Sequence, residues 1–333
     1  MKRISSREAR SADAIGMRRA AATRSLGLFA AVGIALTGCV PVPPAGSVVV
    51  AAPNVGGCAV FPSTSPWNIP VDTRPVRTNS ATYINNITSS GKTNLHPDFG
   101  GGGLYGIPVK VVPSTQPKVR IHYTAYGDES DPGPFPIPSN APVEGGSSST
   151  GDRHVLVVQQ GTCHLYELGR AFWRTDHWDA DVGVNWNLGS TALRPKYWTS
   201  ADAAGLPILP GLVRYSEVAA GHIDHAVRFT APRTQRAFIS PATHYASSST
   251  DAGLPPMGLR LRLKAGYSLS RFHGQSLVIL TALKKYGMIV ADNGSSWYIT
   301  GTADKRWNDD DLNQMKTVPG SAFEAIGTAP IQH

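Results

Sequence analysis

The stretch MIVADNGSSWYIT, residues 288 to 300, gives the clearest indication of the fold. Its two ends are short apolar or alternating runs, which predict β-strands when turn residues bound them. Between them stands Asn293–Gly294, a pair that favours a two-residue primed turn because that turn needs positive φ. We therefore predict a β-hairpin here, preceded by a helix over Ser276 to Tyr286 that packs on one side of the sheet structure.

Short runs of the same kind recur along the chain, separated by clusters of Gly, Pro, Ser and Asn. They include GIPVKVV, KVRIHYT, RHVLVVQQ, CHLYEL, HAVRFT and GLRLRLK. Helical patterns are few: SLVILTALKKYG, and NDDDLNQM, in which Asn308 is expected to cap the helix. This balance predicts a mainly-β fold, a single-domain β-sandwich of jelly-roll type with long loops and one or two helices.

The N-terminal region indicates export. Residues 1–38 are typical of a signal peptide, because a basic flank precedes the uncharged run SLGLFAAVGIALTG. The run ends in LTGC, which resembles the lipobox of bacterial lipoproteins and implies lipidation of Cys39. We expect a Pro-rich tether over residues 39–57 and a β-rich globular domain over residues 58–333. The protein is then anchored to the outer face of a bacterial membrane by lipid alone.

Charge and cysteine content narrow the possible partners. The leader holds seven of the chain's 31 Lys/Arg and two of its 23 acids, so the remainder has a net charge near +3. That charge is too small for a nucleic-acid-binding surface, and we expect no nucleic-acid partner. Beyond Cys39 the chain has two cysteines, Cys58 and Cys163, and an exported compartment permits a disulfide between them. We expect a monomer.

Acidic residues concentrate in one long connection. The segment YGDESDPGPFPIPSNAPVEGGSSSTGDRH contains Glu144 and Asp152, and a second segment, LHPDFGGGG, places His96 and Asp98 beside four glycines. Loops on a β scaffold often carry function, and carboxylates serve as acid and base in glycoside hydrolysis. The chain's seven tryptophans and eleven tyrosines offer flat faces for sugar rings, or else they fill the core.

Histidines fall within strand-like runs. In GHIDHAVRFT, residues 221 to 230, strand alternation places His225 on the face of Val227 and Phe229. If this strand lies beside RHVLVV and CHLYEL, then His225 and His154 converge on one sheet face with Tyr166 or Glu167. The alternative for each histidine is a hydrogen-bonded residue of the core.

These patterns predict glycoside hydrolysis of an extracellular polysaccharide by paired carboxylates. Two alternatives stay open: a polysaccharide lyase for uronate-containing glycans, with Tyr166 or His225 as base, and a glycan-binding or envelope-structural lipoprotein without catalysis. Arg260 and Arg262 alternate with leucines, which predicts a solvated outer face or recognition of anionic sugars. The candidate catalytic residues are Glu144, Asp152, Glu167, Asp224 and His225, and the candidate substrate-binding residues are His96, His154, Tyr166, Arg260 and Arg262.

We expect no cofactor and no metal site, because histidine or cysteine ligands at the short spacings of zinc sites are missing from the sequence. The acidic run DESD leaves a structural calcium open, although it lacks the spacing of a calcium loop. No G-x-S-x-G elbow is present, which disfavours a serine hydrolase.

The segments SPWN, HPDFG, GDRHV, GLPILPGLVRY, HYASSSTD and YGMIVADNGSSWYITG together resemble a group of secreted bacterial and fungal proteins. The resemblance spans about residues 58–326. It implies no particular activity and no catalytic residues.

Overall fold

The computed structural model describes residues 53–333, which contain 17 β-strands and four α-helices. The predicted signal peptide, Cys39 and most of the predicted tether lie outside the described residues. The strands are β1 Asn54–Val55, β2 Cys58–Ala59, β3 His96–Pro97, β4 Val109–Val112, β5 Arg120–Tyr123, β6 Val155–Gln159, β7 His164–Gly169, β8 Phe172–Trp173, β9 His177–Ala180, β10 Val182–Asn187, β11 Val227–Ala231, β12 Phe238–Ile239, β13 Arg260–Leu263, β14 Met288–Asn293, β15 Tyr298–Ile299, β16 Phe323–Ala325 and β17 Ile331–Gln332. The helices are α1 Ser80–Ser89, α2 Tyr215–Ala219, α3 Gly274–Lys285 and α4 Asp309–Asn313.

Two large sheets share one apolar core. The six-stranded sheet has the order β16-β13-β14-β11-β15-β3, and the four-stranded sheet has the order β10-β7-β6-β4. Leu156 and Val158 of β6 belong to the same core cluster as Phe229 of β11 and Ile299 of β15. The predicted mainly-β, sandwich-like single domain is confirmed.

The four-stranded sheet is buried on both faces. Along β6, Val155 and Val157 alternate with the residues that enter the shared core, and they pack in a second cluster with Phe135 and Trp178. Trp178 belongs to a three-stranded sheet of order β5-β9-β8. Strand β6 is therefore buried throughout and apolar over its first four residues, as expected of a strand covered on both sides.

The predicted hairpin at Asn293–Gly294 is wrong. Strand β11 lies between β14 and β15, pairing parallel to the first and antiparallel to the second. The sequence of β11, VRFTA, pairs with both strands, and no turn residue in the sequence indicates that β11 is inserted between them. A two-residue turn with positive φ at both positions occurs instead at Gly56 and Gly57, with φ of 62° and 85°, between β1 and β2. The last residues of the predicted tether thus belong to the folded domain.

The helices agree in part with the sequence. Helix α3 lies where a helix was predicted, and the Asn308 side chain caps α4 by accepting a hydrogen bond from the Asp311 amide. Helices α1 and α2 were not predicted. The polar and β-branched composition of α1 gives it a weak helix propensity. Burial of Tyr83, Ile84 and Ile87 stabilises the helix instead.

The N-terminal part of the domain is fastened to the sheets at two places. The predicted disulfide between Cys58 and Cys163 is confirmed. Further along, the guanidinium of Arg260 donates to the carbonyl oxygens of Pro66 and Ile69. Among the described residues no helix combines the length and the apolar character needed to cross a membrane.

The predicted solvated face of β13 is wrong. Arg260 and Arg262 are both buried, with 4% and 8% of their surface exposed. Arg262 donates to the carbonyl oxygens of Val71 and Asp72 and to the Glu324 carboxylate. The segment of residues 66–72 covers β13 and presents carbonyl oxygens that need hydrogen-bond donors. A guanidinium group supplies several N–H donors. Both arginines are therefore committed to holding that segment.

Candidate functional site

One face of the six-stranded sheet is polar where β14, β11, β15 and β3 lie side by side. Tyr298 of β15 is paired with Thr230 on one side and with His96 on the other, and paired residues share a face. Asp292 of β14 pairs with Thr230 beyond a register shift. Two residues further along the strands, the same alternation brings Arg228, Thr300 and Asp98 to this face.

Arg228 is the buried centre of this face. Its Nε and Nη2 donate to the two carboxylate oxygens of Asp202 at 3.1 and 2.9 Å, and Nη1 donates to Thr300 Oγ1 at 2.8 Å. Burial alone lowers the pKa of Arg228, but the Asp202 carboxylate more than reverses that effect and raises it. Arg228 is therefore a fixed positive charge beneath the acidic residues around it.

A histidine–carboxylate pair lies over this face. His154 donates from Nδ1 to Glu144 Oε2 at 2.6 Å and from Nε2 to the Ala201 carbonyl at 2.9 Å. Burial lowers the pKa of His154, but the hydrogen bond and charge of Glu144 raise it to about 9. Burial raises the pKa of Glu144, yet its bonds to His154 outweigh burial and leave it lowered. At neutral pH the pair is an imidazolium and a carboxylate.

Two other acids near Glu144, Asp98 and Asp292, have raised pKa values. Desolvation and the neighbouring Glu144 carboxylate raise the pKa of Asp98, although its side chain reaches the surface. Burial, with a contribution from Asp202, raises the pKa of Asp292 to about 7. The site therefore holds carboxyl groups with raised pKa values near one with a lowered pKa, and acid and base catalysis uses carboxyl groups whose pKa values are displaced apart.

Asp98 also lines an open cleft of about 390 Å³. Tyr105 and Tyr298 contribute aromatic faces to the cleft, and His96 stacks on Tyr298 with ring centroids 4.1 Å apart. Burial, with a smaller contribution from the nearby Lys316, lowers the pKa of His96 to about 4, so the ring is neutral at physiological pH. The cleft thus combines flat apolar surfaces with a carboxyl group, as sugar-binding sites do.

The glycine run beside Asp98 forms one wall of this cleft. Gly100 has a φ of 117°, and a Cβ at this position would collide with Asp309 Oδ1. That same oxygen accepts a hydrogen bond from the Gly101 amide at 2.9 Å. Glycine at position 100 therefore lets α4 approach the loop closely enough to fix it.

The structure brings four predicted residues to this region: Glu144, Asp152, His154 and His96. Asp152 is exposed, and its negative charge contributes to the raised pKa of His154 and of Asp292. All four stand in the two segments that the sequence singled out, and His154 is the last residue of the longer one.

Glu167 lies elsewhere, with its side chain wholly inside the core. Its carboxylate accepts hydrogen bonds from the amides of Ile208 and Leu209 and from the indole of Trp186, all between 2.9 and 3.1 Å. Burial raises its pKa to about 7 despite these donors. With every donor coming from the fold and no exposed surface, Glu167 acts as an anchor for the turn after Pro207.

The histidine segment GHIDHAVRFT is a strand only from Val227 onward, so the predicted alternation through His225 is wrong. His225 is 1% exposed, with its ring nitrogens 2.7 Å from the Ala226 carbonyl oxygen and 3.1 Å from Glu217 Oε2. Asp224 accepts hydrogen bonds from the exposed His222 and from Tyr286. Neither residue joins the Glu144 cluster, and His225 is a hydrogen-bonded core residue.

Tyr166 and most of the tryptophans are likewise core residues. Tyr166 is buried against Phe135. Five of the seven tryptophans are less than 8% exposed: Trp67, Trp178, Trp186, Trp297 and Trp307. The aromatic side chains that line the cleft beside Asp98 include two tyrosines and no tryptophan.

Two of the three acids of the DESD run bind protein groups. Glu129 accepts a hydrogen bond from the Thr199 amide at 2.7 Å, and Asp131 accepts from the Asn185 amide at 2.8 Å. Asp131 also pairs with Arg194. These carboxylates fasten the long loop to the strands and the loop around residue 199.

Asp202, Arg228 and Asp292 were not predicted as site residues. Arg228 and Asp292 stand in apolar strands, where a charged residue is unusual because an unpaired buried charge is costly. That contrast with their neighbours is the signal that sequence reasoning could have used. Asp202 sits in a segment without pattern, and only the fold shows that it faces Arg228.

No family model, curated protein or solved structure matches this chain.

Proposed function

We propose that this domain hydrolyses glycosidic bonds in an extracellular polysaccharide, with Asp98 as general acid and Glu144 as the ionised carboxylate. The observation that carries the proposal is the opposite displacement of the two pKa values in neighbouring side chains, one of which lines the cleft. Paired carboxyl groups held in different protonation states are the common requirement of glycoside hydrolysis.

In the proposed reaction, protonated Asp98 donates its proton to the glycosidic oxygen as the bond from that oxygen to the anomeric carbon breaks. Glu144 acts from the opposite side, where its carboxylate accepts a proton from the water molecule whose oxygen forms the new bond to the anomeric carbon. Both bonds from His154 fall on Glu144 Oε2, which leaves the lone pairs of Oε1 for that water. His154 is a positioning residue that keeps Glu144 ionised.

The shape of the cleft supports a polymeric substrate. It is open to solvent, and Tyr105, with 57% of its surface exposed, stands at its side. Sugar rings stack on such exposed aromatic faces, and Asp309 and Lys316 offer hydrogen-bonding groups along the same wall. A neutral or mildly acidic glycan chain fits these features.

Anchoring at the cell surface is part of the same proposal. Its support is the leader, the lipobox-like LTGC and the Pro-rich segment that follows, all read from the sequence. A monomeric domain on a short tether reaches polysaccharide of the envelope or of the surroundings without crossing the membrane.

The lyase alternative has less support. Its expected bases, Tyr166 and His225, are 6% and 1% exposed. A buried side chain within the core has no contact with a substrate proton, and general base catalysis requires hydrogen-bond reach.

The test is an incubation of the full-length protein with a panel of soluble polysaccharides, followed by measurement of reducing ends and of ultraviolet absorbance from unsaturated products. We expect reducing ends without that absorbance. Asp98→Asn and Glu144→Gln should each lower the rate by about 100-fold or more. Asp128→Asn, which changes an exposed acid of the same long loop, serves as the matched control and should keep full activity.

Three outcomes contradict the proposal. Unsaturated products would show elimination, and glycan binding without any cleavage would show a binding module. Full activity in both Asp98→Asn and Glu144→Gln would show that the chemistry lies elsewhere.

A further inference from the structure

The three-stranded sheet carries a second group of chemically active side chains. His122 of β5 is the register partner of Asp179 of β9, and His177 stands two residues before Asp179 on the same face. One nitrogen from each histidine and one carboxylate oxygen lie within 4.8 Å of one another. Among residues 53–333, these are the three His, Cys, Asp or Glu side chains whose ligand atoms lie close enough together to hold one metal ion.

The distances suit a small metal ion. Asp179 Oδ1 is 2.8 Å from His122 Nδ1 and 3.3 Å from His177 Nε2. In tetrahedral zinc sites, with bonds near 2.0 to 2.1 Å, neighbouring ligand atoms are about 3.3 Å apart. The second distance already matches, and the first needs an outward shift of about 0.5 Å. The His122 side chain is 68% exposed and free to make that shift.

The groups behind these ligands orient them. Asp176 Oδ1 accepts a hydrogen bond from His177 Nδ1 at 2.7 Å, and the other ring nitrogen, Nε2, faces Asp179 Oδ1. Arg174 donates to Asp179 Oδ2 at 2.7 Å and leaves Oδ1 facing the histidines. Carboxylates that bind the far nitrogen of a ligating histidine are typical of metal centres.

We propose that His122, His177 and Asp179 bind a zinc ion with at least one coordination position open to solvent. Imidazole nitrogens favour zinc and similar transition metals over calcium or magnesium, which prefer oxygen ligands. The open position faces a cavity of about 530 Å³ lined by His122, His177, Arg120 and Pro134. This site shares no residue with the Asp98–Glu144 pair, so the two proposals stand or fall separately.

The experiment is isothermal titration of zinc chloride into full-length protein prepared without a histidine tag and dialysed against a chelator. We expect saturable binding, weakened at least about tenfold by His122→Ala, by His177→Ala and by Asp179→Asn. Asp176→Asn should weaken binding about tenfold or more through His177. The matched control is His222→Ala, which removes another exposed histidine hydrogen-bonded to an aspartate, and it should leave the affinity unchanged.

Two results would overturn the zinc site: wild-type protein that shows no saturable zinc binding, or a His122→Ala variant that binds zinc as tightly as wild type. Because the His122 side chain is exposed, its truncation to alanine should leave the fold intact. Circular dichroism before each titration confirms the folded state of the proteins compared.

Discussion

His154 is held in its charged form by two acceptors inside the protein. The carboxylate of Glu144 accepts from one ring nitrogen and the carbonyl of Ala201 from the other, and 9% of the side chain is exposed. An imidazole with acceptors on both sides is stabilised as the cation. Glu144 is kept ionised in return, so this buried pair prepares the carboxylate on which the proposed chemistry depends.

The protonation of His154 links stability to pH. Its pKa is about 9 in the folded protein and about 6.5 in the unfolded chain. A pKa that is raised on folding stabilises the folded state. This stabilisation is fully present below the pKa of the unfolded chain and is lost as pH rises through the pKa of the folded protein. Relative to His154→Gln, wild type should lose about 3 kcal/mol of unfolding free energy between pH 6 and pH 10.

Urea unfolding of both proteins across that pH range measures this difference. Comparison with His154→Gln cancels contributions from Glu167 and Asp292, whose raised pKa values are common to both proteins. A constant stability difference between the two proteins would show that His154 is neutral in the folded state.

Single residues of the site were predictable where they stand in polar loops, because such loops have no apolar face to bury. Glu144 and Asp152 occupy a polar, glycine-rich loop, and His96 stands in the two-residue strand β3 just before a second glycine-rich loop; the structure places all three near His154 or Asp98. The sequence could not distinguish Glu167 and His225 from the residues of the site, because they differ in burial, which the sequence does not show. A carboxylate with three donors from the core looks the same in sequence as one that faces a cleft.

At the scale of elements, strand β11 organises the site. It lies between β14 and β15 and carries Arg228 on the polar face, with Val227 and Phe229 in the apolar core. Period-two alternation in the sequence does predict these two faces. The neighbours of β11 were not predictable, because β14 and β15 are adjacent in sequence and pair with β11 instead of with each other.

Arg228→Ala tests the importance of this strand for stability. The change leaves the Asp202 carboxylate without its bidentate partner in a site where neither side chain is more than 5% exposed. Leaving one buried charge unpaired typically costs about 3 to 5 kcal/mol of unfolding free energy. We expect a loss of that size by chemical denaturation, while Arg120→Ala, in an exposed pair with Asp176, changes stability little.

Equal stability losses in Arg228→Ala and Arg120→Ala would contradict this account of β11. Recovery of most of the stability by Arg228→Met combined with Asp202→Leu would support it, because two apolar groups remove the unpaired charge.

At the scale of the whole molecule, the site exists because distant segments meet. Asp98 follows the edge strand of the six-stranded sheet, whereas Glu144 belongs to the long loop that leads into β6 of the other large sheet. The disulfide joins residues 105 positions apart and fastens the start of the domain to the strand after β6. The sequence predicted a mainly-β domain and this disulfide, but periodicity carries no information on which loops meet across two sheets.

The central claim is that the pKa values of Asp98 and Glu144 are displaced in opposite directions because the fold places the two side chains together. Carboxyl-carbon NMR of selectively labelled full-length protein, titrated with acid and base, measures both pKa values without a substrate. We expect Asp98 to titrate above an ordinary aspartate and Glu144 below an ordinary glutamate. In Glu144→Gln the pKa of Asp98 should fall, because the Glu144 charge contributes to raising it. Ordinary pKa values for both groups in wild type, or an Asp98 titration that Glu144→Gln leaves unchanged, would contradict the account.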